Sequence, residues 1–309
     1  MRAIYLAKKG GADSLVSGEI PRPVPNAGQV LVRVHATAIM PAEFQWAPTF
    51  QNPSGSPRPF PIVLGHEFSG VIENSGQNAG GFRPGDEVFG FNDWFMNGAQ
   101  AEYCVVDEAR LARKPKLLNH VEASVVPISA LTAWQALFEK ANLLRGQRVL
   151  VHGAAGSVGM FAVQLARWRG AFVIATAASG NLDLVRSLGA DQVIDYRNTR
   201  FENIICDVEV VIDPVGGETL DRSWKVLKPG GTVVTVATGS ALSSEPRVRD
   251  AFIVVRADGS QLAQIARMID AGELRVFQEH TFRLEEARDA YARAGQGGLR
   301  GKIALRVIE

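Results

Sequence analysis

At 309 residues the chain is long for one hydrophobic core, and two domains are expected. Hydrophobic residues at 46% and charged residues at 21% describe a soluble globular protein, and a net charge of +1 gives no sign of a nucleic-acid binder. Two cysteines, Cys104 and Cys206, exclude a disulfide framework and a four-thiolate zinc site, which points to a reducing cytoplasm. No signal peptide follows Lys8 and Lys9, and no apolar run reaches the roughly 18 residues of a membrane span. A cytoplasmic protein without a membrane segment is expected.

Residues 1–110 read as β-rich. Short β-branched runs occupy residues 4–7 and 30–36, the second with Arg33 and His35 alternating outward. Pro21, Pro23 and Pro25 crowd one gap, and residues 52–59 hold too many prolines for a regular element. Gly65-His66-Glu67-Phe68-Ser69-Gly70 follows the apolar Ile62-Val63-Leu64, and Pro84-Gly85-Asp86-Glu87-Val88 comes later. Short strands between Gly and Pro turns predict a small barrel or sandwich. From Val121 the texture changes: residues 121–142 are helical in pattern, interrupted at Pro127. Strands are then predicted at 148–153, 172–176, 192–194, 208–212 and 231–236, with a sixth at 252–255. Helices over 182–188, 217–227 and 261–271 accompany them, which predicts an α/β fold with a doubly wound parallel sheet. A helix at 284–294 and a strand at 300–307 close the chain. The expected domains are 1–121 with 273–309, and 122–272.

The first of these parallel strands stops at Gly153, and apolar residues then recur helically at Val158, Phe161, Ala162 and Leu165. Between them Ala154-Ala155-Gly156-Ser157-Val158-Gly159 keeps the last two glycines of G-x-G-x-x-G, with Ala154 replacing the first. Backbone N–H groups there suit a pyrophosphate at a helix N-terminus. An NAD reader carries an acid at the end of the second strand, about 20 residues on. Here that corner reads Thr176-Ala177-Ala178-Ser179-Gly180-Asn181, and the first acid, Asp183, falls inside the next helix. A carboxylate about 4 Å from a phosphate charge costs on the order of 4 kcal/mol at an effective dielectric of about 20. Its omission favours NADP(H), with Ser179 and Asn181 as donors or, alternatively, as helix caps.

Gly65-His66-Glu67 invites a zinc reading, but no Cys-x-x-Cys or His-x-x-x-His completes three ligands, and Cys104 lies in a predicted strand. No metal is expected, and His66 reads as a hydrogen-bonded structural histidine.

The motifs quoted so far, with Ser187-Leu188-Gly189-Ala190-Asp191, Ile194-Asp195-Tyr196, Asp213-Pro214-Val215-Gly216-Gly217 and Gly301-Lys302, resemble one family from end to end. It is the zinc-independent, quinone-oxidoreductase-like (zeta-crystallin-like) branch of the medium-chain dehydrogenase/reductases. The resemblance implies a GroES-like β-barrel domain from both chain ends and a Rossmann domain, with NADPH in the cleft between them. It further implies that Tyr196 and the corner at 176–179 meet the 2′-phosphate and that Thr132 lies near the nicotinamide. Val215, Val236, Phe252, Ile253, Val254, Leu299 and Arg300 would complete the cofactor site. Zinc-dependent relatives carry a cysteine near position 40 and a four-cysteine lobe near position 100; neither is present. Many relatives read Asn-Pro-x-Asp-x-Lys where this chain has Met40-Pro41-Ala42-Glu43-Phe44-Gln45, and a Lys where it has Asn181.

The implied reaction is hydride transfer from NADPH to a small-molecule acceptor, a quinone or an α,β-unsaturated carbonyl, without metal. Developing charge on oxygen would then be met by hydrogen-bond donors, and no residue stands out as proton donor. Met40, Phe44, Gln45, Trp46, Phe91 and Trp94 are the candidate substrate pocket, with ordinary packing as the competing reading. A weakly catalytic NADPH-binding protein is the alternative. A homodimer through the predicted strand at 252–255 is also implied.

Overall fold

The computed structural model describes residues 1–308. The chain folds into two compact units, Met1–Ile128 with Ala257–Ala271 and Val276–Glu309, and Ser129–Arg256 with Gly272–Arg275.

In the second unit five strands form one parallel sheet in the order Gln192–Asp195, Phe172–Ala177, Arg148–Val151, Val208–Asp213, Leu227–Thr235. Numbered along the chain this is 3-2-1-4-5, the doubly wound order, with its switch point at the first strand. Val149, Leu150 and Val151 are wholly buried, which is why these strands read as unbroken apolar runs rather than alternating ones. The helix Ser157–Arg169 follows the first strand and buries Met160, Ala162, Val163, Leu165 and Ala166.

Residues 252–255 are not a sixth strand. Phe252 makes one isolated bridge to Thr235, and Ile253 N–H reaches Thr235 O at 3.1 Å. Beyond that point Gln135 holds both polar groups of the Arg256 backbone, accepting from its N–H at 3.0 Å and donating to its carbonyl at 2.9 Å. The chain is thereby tied to Gln135 just past the sheet edge, and Val254 is left 64% exposed. The strand on which a dimer was expected is therefore absent.

In the first unit the longest sheet runs Gln278–Arg283, Lys302–Arg306, Gln29–Ala38, Glu67–Ser75, Glu87–Phe91, Leu111–Arg113, with Tyr103–Asp107 also paired to Gln29–Ala38. A smaller sheet joins Leu15–Glu19, Arg2–Leu6 and Ile62–Val63. Val32, Val34, Phe68, Ile72, Val88, Ile303 and Leu305 form the core from both chain ends. The strand Gln278–Arg283 was not visible as a periodic run, because its residues are half-buried or exposed throughout. The helix Gly259–Asp270 belongs to this unit, whereas the expected boundary placed it in the other. Asp258 caps it by accepting from Ser260 and Gln261 N–H, and it packs on Leu111–Arg113.

Residues 121–142 divide into His120–Ser124, Pro127–Trp134 and a π-helical Gln135–Lys140. Asn119 and Glu122 close a capping box on the first. Among the described residues no helix is long and apolar enough to cross a membrane.

Candidate active site

The left-handed residue that opens the dinucleotide turn is Gly153, at φ 53°, one position before Ala154. The turn is thus Gly153, Gly156 and Gly159 at equal spacing, and the apparent loss of a first glycine is made good. A Cβ on Gly159 would lie 2.3 Å from Gly153 O and 2.7 Å from Ala154 Cα, so only glycine lets helix and strand approach this closely. The first helical bond runs from Met160 N–H to Gly156 C=O at 2.9 Å. The N–H groups of Ser157, Val158 and Gly159 precede it, and the N-cap, Gly156, offers no side chain to them. Uncapped donors at the positive end of a 13-residue helix could hold an anionic group such as a pyrophosphate.

The corner after the second strand is built differently from expectation. Thr176 is buried, and its Oγ1 lies 3.0 Å from His152 Nδ1. His152 Nε2 lies 2.9 Å from Ser223 Oγ, so both ring nitrogens are engaged. Burial, with the Arg222 charge second, depresses this histidine to about 3 and keeps it neutral. Ser179 Oγ donates to Asp195 Oδ2 at 2.6 Å. Asp195, at the end of the third strand and level with Ala177, also accepts from Arg197 N–H and Asn198 Nδ2. Those hydrogen bonds, the one from Ser179 foremost, hold its carboxyl below the usual range. The corner therefore contains an acid that arrives from the neighbouring strand. Tyr196 is 53% exposed beside it, Ala177 is buried, and Ala178 and Asn181 are half-buried.

The loop after Val208–Asp213 is shaped by buried Asp213, which accepts from Val215 and Gly216 N–H at 3.0 Å and from Thr235 Oγ1 at 3.0 Å. Val215 is exposed, and its Cγ2 would stand 3.3 Å from a Cβ on Gly153, which puts it beside the turn with Ala155. Val236 is half-buried and bonded to Asp213 O; Thr132 is buried; Phe252 and Ile253 are half-buried. In the first unit Leu299 packs on the core, and Arg300 N–H donates to the Glu279 carboxylate.

The expected pocket residues separate into two groups. Phe44 packs on the first unit's core, 4.7 Å from the Tyr291 ring, Gln45 is exposed, and Met40 is half-buried. Trp46, Phe91 and Trp94 come together, with Trp94 4.9 Å from Trp46 and 5.1 Å from Phe91 between ring centroids. The His66 ring lies 5.2 Å from Trp94 in the same cluster. Its partner is Glu43, a residue with no sequence-level role assigned. His66 Nδ1 and Glu43 Oε1 are 2.6 Å apart, with side chains 1% and 0% exposed. The Glu43 carboxylate also accepts from Gly65 N–H at 3.1 Å, His66 N–H at 3.2 Å and Tyr291 Oη at 3.4 Å. Gln100 Nε2 supports the Tyr291 hydroxyl at 2.7 Å. His66 is thus hydrogen-bonded, as expected, but through one nitrogen; Nε2 is buried without a partner. A motif signal for the pair exists only in hindsight, since 23 residues separate Glu43 from His66. Glu67 beside it is structural: it pairs with Lys302 and accepts from Ile128 N–H at 2.9 Å. Among the described residues no group of three His, Cys, Asp or Glu side chains could hold a metal ion.

A doubly wound sheet with an uncapped Gly-turn helix, joined to a β-rich unit from both chain ends, defines a two-domain dinucleotide-binding protein. Residues 26–116 match the alcohol dehydrogenase GroES-like domain, and residues 188–305 match the zinc-binding dehydrogenase family. The chain is 31% identical to the chloroplastic quinone-oxidoreductase QR1 of Triphysaria versicolor, over 99% of this chain and 98% of that protein. It is 32% identical to 2-methylene-furan-3-one reductase of Solanum lycopersicum, over 100% of this chain and 79% of that protein. The solved quinone oxidoreductase from Coxiella burnetii superposes with a TM-score of 0.90 at 28% identity, covering 100% of this chain and 99% of that one. The chain belongs to the medium-chain dehydrogenase/reductase family, in its quinone-oxidoreductase-like branch.

Proposed function

We propose that this protein is an NADPH-dependent oxidoreductase that passes a hydride to a quinone or an α,β-unsaturated carbonyl without a metal. The observation that carries the reading is the glycine-spaced turn, whose three uncapped N–H groups and sterically required Gly159 fit a dinucleotide pyrophosphate. When bound, the nicotinamide supplies the hydride, and that chemistry is the cofactor's own. The chain's residues bind and orient. Ser157, Val158 and Gly159 N–H groups hold the pyrophosphate, and Val215 flanks the turn. Tyr196 and Asn181 take the adenosine end, and Ser179 braces the corner through Asp195. The second strand ends without a carboxylate, which supports NADPH; Asp195 tempers that preference. Thr176 supports the corner through His152 and leaves the set of phosphate donors. Met40, Trp46 and Trp94 offer apolar surface to a flat conjugated acceptor, and Phe91, wholly buried, packs behind Trp94. Relatives whose names specify a quinone and a 2-methylene-furan-3-one support that acceptor class.

Steady-state NADPH oxidation with a panel of quinones and enones tests the reading, repeated after dialysis against EDTA. Turnover with at least one acceptor, unchanged by the chelator, is expected. No turnover with any acceptor overturns the enzyme reading, and loss of turnover on chelation overturns metal independence.

A further inference from the structure

We infer that Glu43 and His66 form the proton-handling end of the acceptor site, with His66 Nε2 meeting the acceptor's carbonyl oxygen. The inference rests on the proposed acceptor chemistry and on the assignment of Trp46 and Trp94 to the substrate pocket. His152 is bonded through both nitrogens, to Thr176 and Ser223, whereas His35, stacked on His120, shares with His66 a buried Nε2 without a partner. What sets His66 apart is the Glu43 carboxylate on its other nitrogen and the aromatic cluster beside it. His66 is as buried as His152, yet only Nδ1 is bonded, and Nε2 has no partner. An unpaired buried polar atom costs stability, so a fold that needed only a packed ring would gain from an apolar residue there. Around His66 the neighbours are flat and apolar, with Trp94 at 5.2 Å backed by Phe91 and Trp46. Such walls suit a planar conjugated ring, and its carbonyl oxygen is the polar atom that would pair with Nε2. Trp94 lies in a segment without helix or strand, residues 92–100.

Glu43 is the positioning residue. Its carboxylate gathers four donors and fixes the imidazole through Nδ1–H, so that the second proton, taken from solvent, sits on Nε2. The carboxylate also balances the charge of the doubly protonated ring. As an enone takes up a hydride from NADPH at its β-carbon, the C=C electron pair moves toward the carbonyl oxygen. That oxygen forms an O–H bond with the proton from Nε2, whose N–H bond breaks. The products are NADP⁺, an enol that returns to the ketone in water, and a neutral His66 still held by Glu43. With a quinone the same proton completes the hydroquinone.

The test uses the full-length protein with NADPH and an enone that it turns over. In H66Q and H66N kcat is expected to fall about 100- to 1,000-fold, with NADPH affinity unchanged. In E43Q kcat is expected to fall less, with the acceptor KM little moved. A readout independent of turnover is ¹⁵N NMR of histidine-labelled protein titrated with hydroquinone, the His66 signals being assigned by their loss in either substitution. The Nε2 signal is expected to shift on titration. Wild-type kcat in a folded H66Q or H66N, or an Nε2 signal unmoved by hydroquinone, overturns the inference. An inactive wild type whose Nε2 signal still shifts overturns the proposed reaction and leaves this pair as a ligand site.

Discussion

Ser179 is a donor whose proton is already placed. Its hydroxyl points at Asp195, which the third strand brings level with Ala177, so the corner after the second strand presents one hydroxyl–carboxylate pair rather than a free hydroxyl. A carboxylate here works against a 2′-phosphate, and its isosteric amide would not. Asp195→Asn is therefore expected to raise the affinity ratio of NADPH over NADH roughly five- to tenfold, read by fluorescence titration of both cofactors. The amide keeps an acceptor for Arg197 N–H, so the turn should survive. An unchanged ratio would show that Asp195 does not face the phosphate. Residue-level chemistry was the least legible part of the sequence. The absence of an acid at 176–181 was correctly read along the chain, but Asp195 reaches the same corner across a strand pair. Glu43 and His66 meet in the same way, across 23 residues with no motif joining them.

Elements were more legible, because parallel strands buried on both faces write themselves as apolar runs and the switch from β-rich to alternating texture marks the second unit. The run at 252–255 shows where that signal fails. Four apolar residues specify burial, and nothing in them shows that Gln135 binds the backbone just beyond. The turn-to-helix element carries its own prediction. Gly159→Ala forces a Cβ onto the Gly153 carbonyl and should cost about 1–3 kcal/mol, lowering Tm by several degrees. NADPH binding should weaken at the same time; a variant with native Tm and native affinity would contradict the close packing.

Another element-scale prediction concerns the helix His120–Ser124. Its first residue stacks on His35 at 4.2 Å, bonds Ser69 and lies near Glu87 and Lys114. Burial first, then the His35 charge, depresses His120 to about 4. Burial, with Arg33 second, lowers His35 as well. The unfolded chain binds these protons near pH 6.5, so stability present above that pH is lost as pH falls toward about 4. The urea midpoint should decline across that window, and less steeply in His120→Gln. An equal decline in the variant would assign the effect elsewhere.

At the scale of the molecule, the resemblance carried by motifs spread from Gly65 to Lys302 predicted both folds. What it could not supply was the arrangement of the cluster around His66, which gathers Glu43 from the 3₁₀ helix Pro41–Gln45, Trp46 just after it, His66 just before the strand Glu67–Ser75, and Trp94 from the segment after Phe91. The activity proposed for the molecule is transfer of a hydride from NADPH to a quinone or an α,β-unsaturated carbonyl. The most direct measurement is a reaction of wild-type protein with NADPH carrying two deuterons at C4 and an enone, with the product analysed by mass spectrometry and ²H NMR. The account predicts one deuterium per product molecule, bonded to the β-carbon. NADPH left unconsumed across the acceptor panel, or a reduced product without deuterium at that carbon, would contradict it.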